Sequence, residues 1–461
     1  MPRSLHQHAV VIGASMAGLA TARVLADHFD AVTVLDRDPL PEGTGPRKGV
    51  PQGRHAHALL AGGARAIAQL FPGIMEELIA DGAELMEFNE GSWYQAGGYR
   101  ADCLVERKVV AASRPFIEAG VRRRVAALPN VTIRSGHAVE TLLHKLGRVT
   151  GVKVFDGTTS SDMLAGLVVD CSGRASQGSL WMEELGYTAP DTVEVRCDMR
   201  YATVILPRRP GDLDGDFAVI IESPPLGKRA AFLIPIEGDR WIATIGAGYG
   251  AEAPVDEAGF RAAAASLPSN ELHQVLEGLD DLGHVATHRL VSSKRRRYER
   301  LRDVPAGFLA LGDAVCSFNP IYGQGMSSAV LQAVALGECI GEHGNDQHLV
   351  RAFYARAAKV IDTPWSIAVG ADFAYPECRG TKPFGTDLVN RYMRTVLIAA
   401  RVSPEVNTAM ILVQNLVAPP TTLFKPAMIL RVRRAARIVE RESRRPAPAV
   451  TAPVTTRRHA A

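Results

Sequence analysis

Residues able to bind a nucleotide occur near the start of the chain. Gly13, Ser15 and Gly18 follow an apolar run and open an apolar helix, so backbone N–H groups at the helix start can bind a pyrophosphate. Gly13 permits a tight turn and Gly18 permits close packing of helix on strand, while Ser15 replaces the usual second glycine. Asp36 ends the next apolar run, where a carboxylate accepts hydrogen bonds from an adenosine ribose. These residues predict a bound dinucleotide.

Cations near this segment would suit the phosphates of such a cofactor. Arg37 makes a 2′-phosphate conceivable, but the acid at Asp36 favours FAD or NAD over NADP. Arg47 and Lys48 lie in a loop rich in Pro and Gly and match phosphates in charge, although a solvated loop explains them nearly as well. We expect all three cations to belong to the cofactor site.

His55 and His57 are the candidates for a metal ligand or a catalytic base. They lie two residues apart with no acidic or cysteine neighbour to complete a metal site. Structural histidines of a core or a loop fit this pattern better than a base does. The sequence therefore predicts no metal, and it assigns no catalytic residue.

A second glycine-containing region follows an apolar run at 308–311. Gly312 allows close backbone approach, and Asp313 can accept hydrogen bonds from hydroxyl groups of a bound chain. Gly323 and Gly325 then open a long apolar helix, and its N-terminus favours negative charge. A reduced flavin carries such charge at N1 and O2, so this region favours a flavin over a nicotinamide cofactor.

Composition narrows the class of protein. A chain of 461 residues with 47% hydrophobic residues predicts two or three domains. The net charge of +3 demands no nucleic-acid partner, and no apolar run reaches the length of a membrane span. We expect no signal peptide, because residues 1–8 are polar and lead directly into an apolar strand. The six scattered cysteines suit reduced thiols. We expect a soluble cytoplasmic protein without stable membrane insertion.

For the elements that hold these residues, the sequence predicts an α/β (α+β overall) fold. It consists of a Rossmann-like FAD-binding domain with an inserted antiparallel-sheet substrate domain and C-terminal helices. We expect a discontinuous FAD-binding domain at 1–75, 102–178 and 284–345, and a substrate-binding domain at 76–101 and 179–283. A C-terminal helical region at 346–445 ends in a basic amphipathic helix, for which docking onto the protein is favoured over binding to a membrane, and 446–461 is expected to be a disordered tail.

The order of the motifs resembles that of FAD-dependent monooxygenases of the aromatic-hydroxylase and squalene-epoxidase type. The shared segments are the glycine turn, the Ser113-Arg114 helix start, the turn 170–174 and Gly312-Asp313. More narrowly, three segments resemble the flavin epoxidases of polyether antibiotic pathways, the monensin and lasalocid epoxidases. Those segments are 47–57, 319–329 and 363–365.

The resemblance implies roles for individual residues of this sequence. It implies that Gly13, Ser15 and Gly18 hold the pyrophosphate and that Asp36 holds the adenosine ribose. Along the rest of the cofactor, the implied contacts are made by Arg114 at the phosphate-ribityl region, Asp313 at the ribityl hydroxyls, Pro320 beside the isoalloxazine, and Gly323, Gly325 and Met326 at its pyrimidine end. Ser172 departs from the Asp of the aromatic hydroxylases, which weakens the expectation of direct NADPH use.

The implied function is that of an FAD-dependent monooxygenase. It would insert one oxygen from O2 through a C4a-hydroperoxyflavin and epoxidise an alkene of a polyketide or other natural product. NAD(P)H would supply electrons directly or through a flavin reductase, and the substrate would be a hydrophobic polyene, polyketide or terpenoid-like molecule. A flavin-dependent hydroxylase, a halogenase and a non-redox FAD-bound cyclisation scaffold are the alternatives.

Overall fold

The structure is a computed structural model that describes residues 7–105 and 108–443. Its first elements are β1 (His8–Ile12), α1 (Met16–Ala26), β2 (Ala31–Asp36), α2 (Ala61–Leu70), α3 (Ile74–Ala80), β3 (Glu84–Glu87), β4 (Ser92–Gln95), β5 (Gly98–Tyr99), β6 (Lys108–Ala111), α4 (Arg114–Ala126), β7 (Val131–Ser135), β8 (Ala138–Lys145), β9 (Arg148–Phe155), β10 (Ser160–Leu164), β11 (Leu167–Asp170) and α5 (Gly178–Glu184).

The remaining elements are β12 (Thr192–Pro207), β13 (Ala218–Ile221), β14 (Arg229–Ile236), β15 (Arg240–Ala247), α6 (Glu257–Ala265), α7 (Glu271–Glu277), β16 (Ala286–Arg296), β17 (Phe308–Ala310), β18 (Cys316–Ser317), α8 (Gly325–His343), α9 (Leu349–Asp372), β19 (Arg379–Gly380), α10 (Thr386–Ala399), α11 (Pro404–Gln414) and α12 (Pro426–Ser443).

A parallel sheet organises the cofactor motifs. Its strand order is β17-β11-β1-β2-β7, and its central strands are largely apolar because both helix α1 and the three-stranded antiparallel sheet β10-β9-β8 pack against it. The carboxyl ends of β1, β2, β11 and β17 meet at one edge. Gly13, Asp36, Asp170 and Gly312 follow or end these strands, so the fold brings the predicted motifs to the edge where α/β sheets bind ligands.

The turn between β1 and α1 has the close packing that its glycines predict. Gly13 has φ +102°, a conformation that side chains disfavour. A Cβ on Gly18 would lie 1.8 Å from the carbonyl oxygen of Gly13. Only glycine at position 18 lets the helix start this close to the strand.

A largely antiparallel sheet forms the second layer of the molecule. Its strand order is β18-β16-β12-β15-β14-β13-β4-β5, with β19 also paired to β12. The sheet has its own hydrophobic core, in which Trp241, Phe260 and Val275 are buried between β15 and the helices α6 and α7. A Rossmann-like sheet with an inserted antiparallel sheet confirms the predicted fold class.

The C-terminal helices pack on the rest of the chain. Helix α9 packs along α8 and buries Leu349, Phe353 and Ala357 in the main core. Helices α10, α11 and α12 share a further core that includes Val432 and Ala436, so α12 docks onto the protein as expected. The predicted domain boundaries stay a prediction, and the predicted tail 446–461 lies outside the described residues. Within the described ranges, no helix combines the length and apolarity that crossing a membrane requires.

Candidate active site

Five side chains form a polar network at the carboxyl end of β1. Arg47 donates from Nη1 to Asp36 Oδ2 at 2.7 Å and from Nε to Glu118 Oε1 at 3.0 Å. Glu118 Oε2 accepts from Ser15 Oγ at 2.9 Å, and Ser15 Oγ accepts from Arg114 Nη2 at 2.7 Å. Burial lowers the pKa of Arg47, but the carboxylates of Glu118 and Asp36 outweigh this effect and raise it. The network orders the predicted pyrophosphate turn.

Glu118 is a site residue that the sequence reasoning missed. It lies one helical turn beyond Arg114 on α4, at the i+4 spacing that lets side chains meet. The start of α4 is anchored to the second sheet, because Ser113 donates from its N–H and its Oγ to Glu237 at 2.8 and 2.7 Å. The sheet thereby fixes the position of Arg114.

Asp36 already has protein partners on both carboxylate oxygens. Besides Arg47, Oδ2 accepts from the N–H of Ala14 at 2.7 Å, and Oδ1 accepts from the N–H of Asp38 at 3.0 Å. A ribose bound here would share the carboxylate with the glycine turn. The role of Asp36 in holding a ribose stays a prediction.

Arg114 is buried and retains unused hydrogen-bond donors. Its Nε and Nη1 find no acceptor within residues 7–105 and 108–443. Burial lowers the pKa of Arg114, and the nearby carboxylates of Glu118 and Asp313 oppose this effect. Buried guanidinium N–H groups normally have acceptors, and phosphate is a preferred one. The residue therefore fits a phosphate or ribityl group.

Asp313 is a hydrogen-bond acceptor within electrostatic range of the Arg114 donors. It follows Gly312, whose φ of +69° and close approach to Ala17 require a glycine. The Asp313 carboxyl group is half-buried and accepts no hydrogen bond from any described residue. Burial raises its pKa, while Arg114 and Arg174 act to lower it. An acceptor without donors in this position fits the hydroxyl groups of a ribityl chain.

The turn between β18 and α8 holds the predicted glycines at the start of the helix. Gly323 has φ +65°, and Pro320 starts a short 3-10 turn before it. A Cβ built on Gly325 would meet no described atom within 4 Å, so the first turn of α8 borders free space. Met326 is buried behind it. This helix start can accept a negatively charged group.

A buried carboxyl group that the sequence reasoning missed stands beside this turn. Asp372 Oδ1 accepts from Asn319 Nδ2 at 2.9 Å, Tyr322 Oη at 2.9 Å and Tyr249 Oη at 2.6 Å. Asp372 is 0% exposed, and its Oδ2 has no partner in the described part of the chain. Burial raises the pKa of Asp372 to about 6, although the three donors act to lower it. Tyr201 also joins the cluster through Asn319.

The segment before α2 connects this turn to the antiparallel sheet. His55 Nδ1 lies 2.7 Å from Thr203 Oγ1 on β12, and the N–H of Ala56 donates to Thr244 Oγ1 on β15 at 3.0 Å. Leu60 donates its N–H to Ser327 Oγ in the first turn of α8 at 3.0 Å. Burial lowers the pKa of His55 to about 4. These contacts place both layers of the molecule against the α8 turn.

Two predicted cofactor residues lie apart from the network. Arg37 and Lys48 are exposed, and neither side chain has a hydrogen bond or ion pair to a residue that the structure describes. The structure thus brings together Ser15, Asp36, Arg47 and Arg114 but not these two cations. Their contact with a cofactor stays a prediction.

A cavity of about 550 Å³ lies between β12 and α9. Trp365 and Val369 of α9 line it, and the Trp365 ring lies 6.5 Å from that of Phe318, which precedes the α8 turn. The volume is typical of a site for a small molecule. The remaining lining residues are Thr192, Val193, Glu194, Val195, Arg297, Arg300, Gly380, Thr381 and Pro383.

Comparison with known proteins decides the family. No family model matches the chain. Protein Rv3254 of Mycobacterium tuberculosis is 36% identical over 340 residues, which are 71% of this chain and 71% of that protein. The chain belongs to the Rv3254 family.

Solved structures show which fold this chain shares. The flavin-dependent brominase Bmp2 covers 94% of this chain and all of its own length, with a TM-score of 0.64 and 15% identity. A flavoprotein/dehydrogenase from Cytophaga hutchinsonii covers 95% of this chain and 99% of its own (TM-score 0.66, 15% identity). The p-nitrophenol 4-monooxygenase PnpA from Pseudomonas putida DLL-E4 covers 89% and 98% (TM-score 0.63, 17% identity). The fold is that of flavin-dependent monooxygenases and halogenases.

Proposed function

We propose that the chain is an FAD-dependent monooxygenase that transfers one oxygen atom of O2 to an alkene of a hydrophobic natural product, such as a polyketide or terpenoid-like polyene. The observation that carries the cofactor assignment is the pair Arg114 and Asp313. Their unused donors and acceptor come from segments 199 positions apart in the sequence and lie within electrostatic range of each other. A flavin nucleotide supplies both the phosphate and the hydroxyl groups that this pair lacks.

Residues of the chain would hold the cofactor along its whole length. The first turn of α1 would bind the pyrophosphate, with Arg114 completing its charge neutralisation. Asp313 would accept from the ribityl hydroxyls, and the turn 320–326 would donate N–H groups to the pyrimidine end. Most of these groups have spare hydrogen-bonding capacity in the described chain. The exceptions are the Ser15 and Asp36 side chains, which the network already uses, and the N–H groups of 321–323, which already donate to Asn319 and Pro320.

Oxygen transfer to an alkene asks little of protein side chains. A reduced flavin supplies the activation of O2 when bound. The chain then has to exclude water, stabilise negative charge and orient the substrate. The start of α8 offers the charge stabilisation, and the cavity against Trp365 offers an apolar wall for the substrate.

A second candidate function is hydroxylation of a phenol-like substrate, and one observation favours it. A phenol needs a base, and Asp372 is a buried carboxyl group beside the α8 turn with one oxygen unpartnered in the described chain. An alkene would not use it. Epoxidation remains the main proposal because the segments 47–57, 319–329 and 363–365 resemble flavin epoxidases.

The source of electrons is part of the proposal. We propose NAD(P)H as the donor, acting directly or through a separate flavin reductase. Ser172 stands where the aromatic hydroxylases have an acid, and its Oγ donates to Asp170 Oδ1 at 2.5 Å. The missing acid favours the route through a flavin reductase. A cytoplasmic location would supply both components.

Product analysis with labelled oxygen tests the function. The purified protein should bind FAD, and with reduced FAD and a polyene it should consume O2 in a substrate-dependent manner. Mass spectrometry with ¹⁸O₂ should find one labelled oxygen per product, as an epoxide and not as a phenol. A product without label would contradict both epoxidation and hydroxylation, and would leave the halogenase and the non-redox cyclisation scaffold as the remaining alternatives.

A further inference from the structure

His55 is held at the junction of the α8 turn and the antiparallel sheet. It is 5% exposed, and its Nδ1 lies 2.7 Å from Thr203 Oγ1. Ala58, three residues on, would be 3.3 Å from a Cβ on Gly323. Tyr201, whose ring centroid lies 6.0 Å from that of His55, donates to Asn319 Oδ1 at the start of the turn. One side chain therefore connects the histidine to the turn that would receive the isoalloxazine.

The hydrogen bonds around His55 fix which ring nitrogen carries the proton. Thr244 Oγ1 accepts from the N–H of Ala56 at 3.0 Å and lies 2.6 Å from Thr203 Oγ1. Each hydroxyl has one hydrogen to donate. If Thr244 donates to Thr203, then Thr203 donates to His55 Nδ1, both hydroxyl hydrogens are used, and only the ring Nε2–H lacks an acceptor among the described residues. The reverse order is less favourable because it leaves two groups unpaired in the described chain, the Thr244 hydroxyl hydrogen and the lone pair of Nε2.

The first order makes His55 a neutral ring with its hydrogen on Nε2. Burial, with smaller effects from His288 and Arg54, lowers the pKa of His55 to about 4, so the ring stays neutral near pH 7. The Nε2 atom is buried and has no hydrogen-bond partner among the described residues. The ring centroids of Tyr201 and His288 lie 6.0 and 5.7 Å from the ring centroid of His55.

We propose that His55 Nε2–H is a preset donor for a hydrogen-bond acceptor that enters the site on the flavin ring or on the substrate. The proposal rests on the FAD-dependent function proposed above. A buried N–H group without an acceptor is unfavourable, and the threonine pair prevents the ring from avoiding the cost by changing tautomer. The acceptor is an oxygen or nitrogen with a lone pair, which both the isoalloxazine and an oxygenated substrate carry.

Nitrogen NMR of the holoprotein tests the tautomer directly. With ¹⁵N-labelled histidine, the signals of His55, identified by their loss in His55→Gln, should report a neutral Nε2–H ring between pH 5.5 and 8. Thr203→Val should remove this preference while leaving Nε2 in place. A protonated Nδ1 in the wild-type protein would overturn the proposal whether or not the protein is a monooxygenase.

Binding measurements identify the source of the acceptor. His55→Leu removes the donor, and His55→Gln retains an amide N–H donor of similar reach. If the acceptor is on the flavin, His55→Leu should weaken FAD binding about tenfold, a typical loss for one buried hydrogen bond, and His55→Gln should restore most of it. If the acceptor is on the substrate, FAD affinity should stay unchanged while KM rises about tenfold in His55→Leu and recovers in His55→Gln.

Two results separate this proposal from the function on which it rests. Equal FAD affinity and equal KM in folded wild-type, Leu and Gln proteins would overturn the role of His55 while leaving the monooxygenase intact. Wild-type protein that binds no FAD would instead contradict the proposed function, and its tautomer would still be read by NMR. Should His55→Leu fail to fold, Thr203→Val provides the same comparison, since it releases the tautomer without removing the ring.

Discussion

Asp313 is the single residue on which retention of FAD should depend most. Its carboxyl group lies near Arg114 and Arg174 and accepts no hydrogen bond from the described residues, so a ribityl chain is its natural partner. We expect Asp313→Ala to purify without flavin, because a charge-assisted hydrogen bond contributes about 1.5–3 kcal/mol. Flavin absorbance per protein measures this. The exposed Asp214 supplies the control substitution to Ala, and a fully yellow Asp313→Ala protein would contradict the assignment.

Asp372 should make stability depend on pH in a direction opposite to that of an ion-paired carboxylate. Its pKa is raised from 3.8 to about 6, so the folded state holds the proton more tightly than the unfolded state. Stability from this group is present below pH 4 and is lost as pH rises through 6. Between pH 5 and 7.5 the loss should be about 1.4 kcal/mol.

The neutral variant Asp372→Asn provides the reference for this effect. The difference in unfolding free energy between wild type and Asp372→Asn should shift by that amount in favour of the variant over the same interval. Denaturant unfolding of both proteins at the two pH values measures it. A difference that stays constant with pH would show that Asp372 is ionised throughout.

At the scale of elements, the contact between β1 and α1 sets the position of the pyrophosphate turn. We expect Gly18→Ala to destabilise the protein by about 3 kcal/mol, because its Cβ would overlap a backbone oxygen that cannot move independently. Gly341→Ala is the matched control in α8. A Cβ there meets no described atom within 4 Å, so the helix should gain about 0.5–1 kcal/mol. Denaturant unfolding of both variants tests the pair, and equal effects would contradict the packing argument.

Helices, strands and turns formed by consecutive residues could be predicted from the sequence. Contacts between residues that are far apart in the sequence could not. The strand, glycine turn and helix at 8–26 follow from local periodicity, as does the helix that starts at Gly325. Asp372 meets Asn319 from 53 residues away, and Thr203 meets His55 from 148 residues away. No local pattern records such pairs, because they depend on how the α9 helix and the second sheet pack around the α8 turn. The role of Glu118 had a local signal, the i+4 spacing from Arg114.

At the scale of the whole molecule, the C-terminal helices are tied to the cofactor side through α2. Asn415, which ends α11, accepts from the N–H of Ala61 through Oδ1 at 3.1 Å and from the N–H of Gly62 through its carbonyl at 2.9 Å. A Cβ on Gly62 would lie 2.7 Å from the carbonyl oxygen of Leu416. The start of α2 is thus clamped between α11 and Ser327 of α8.

Removing the Asn415 side chain should change amide hydrogen exchange at the start of α2, which is distant in the sequence but in contact in the structure. Asn415→Ala leaves the partly buried N–H of Ala61 without its side-chain acceptor, at a cost of about 1–3 kcal/mol. If 60–63 opens locally, its amide hydrogens should exchange about 5- to 150-fold faster, while those of β12 keep their rates. Asn270→Ala serves as the control because Asn270 is exposed and makes no side-chain hydrogen bond at the start of α7. Uniformly faster exchange over the whole protein would instead mean that Asn415 contributes only to global stability.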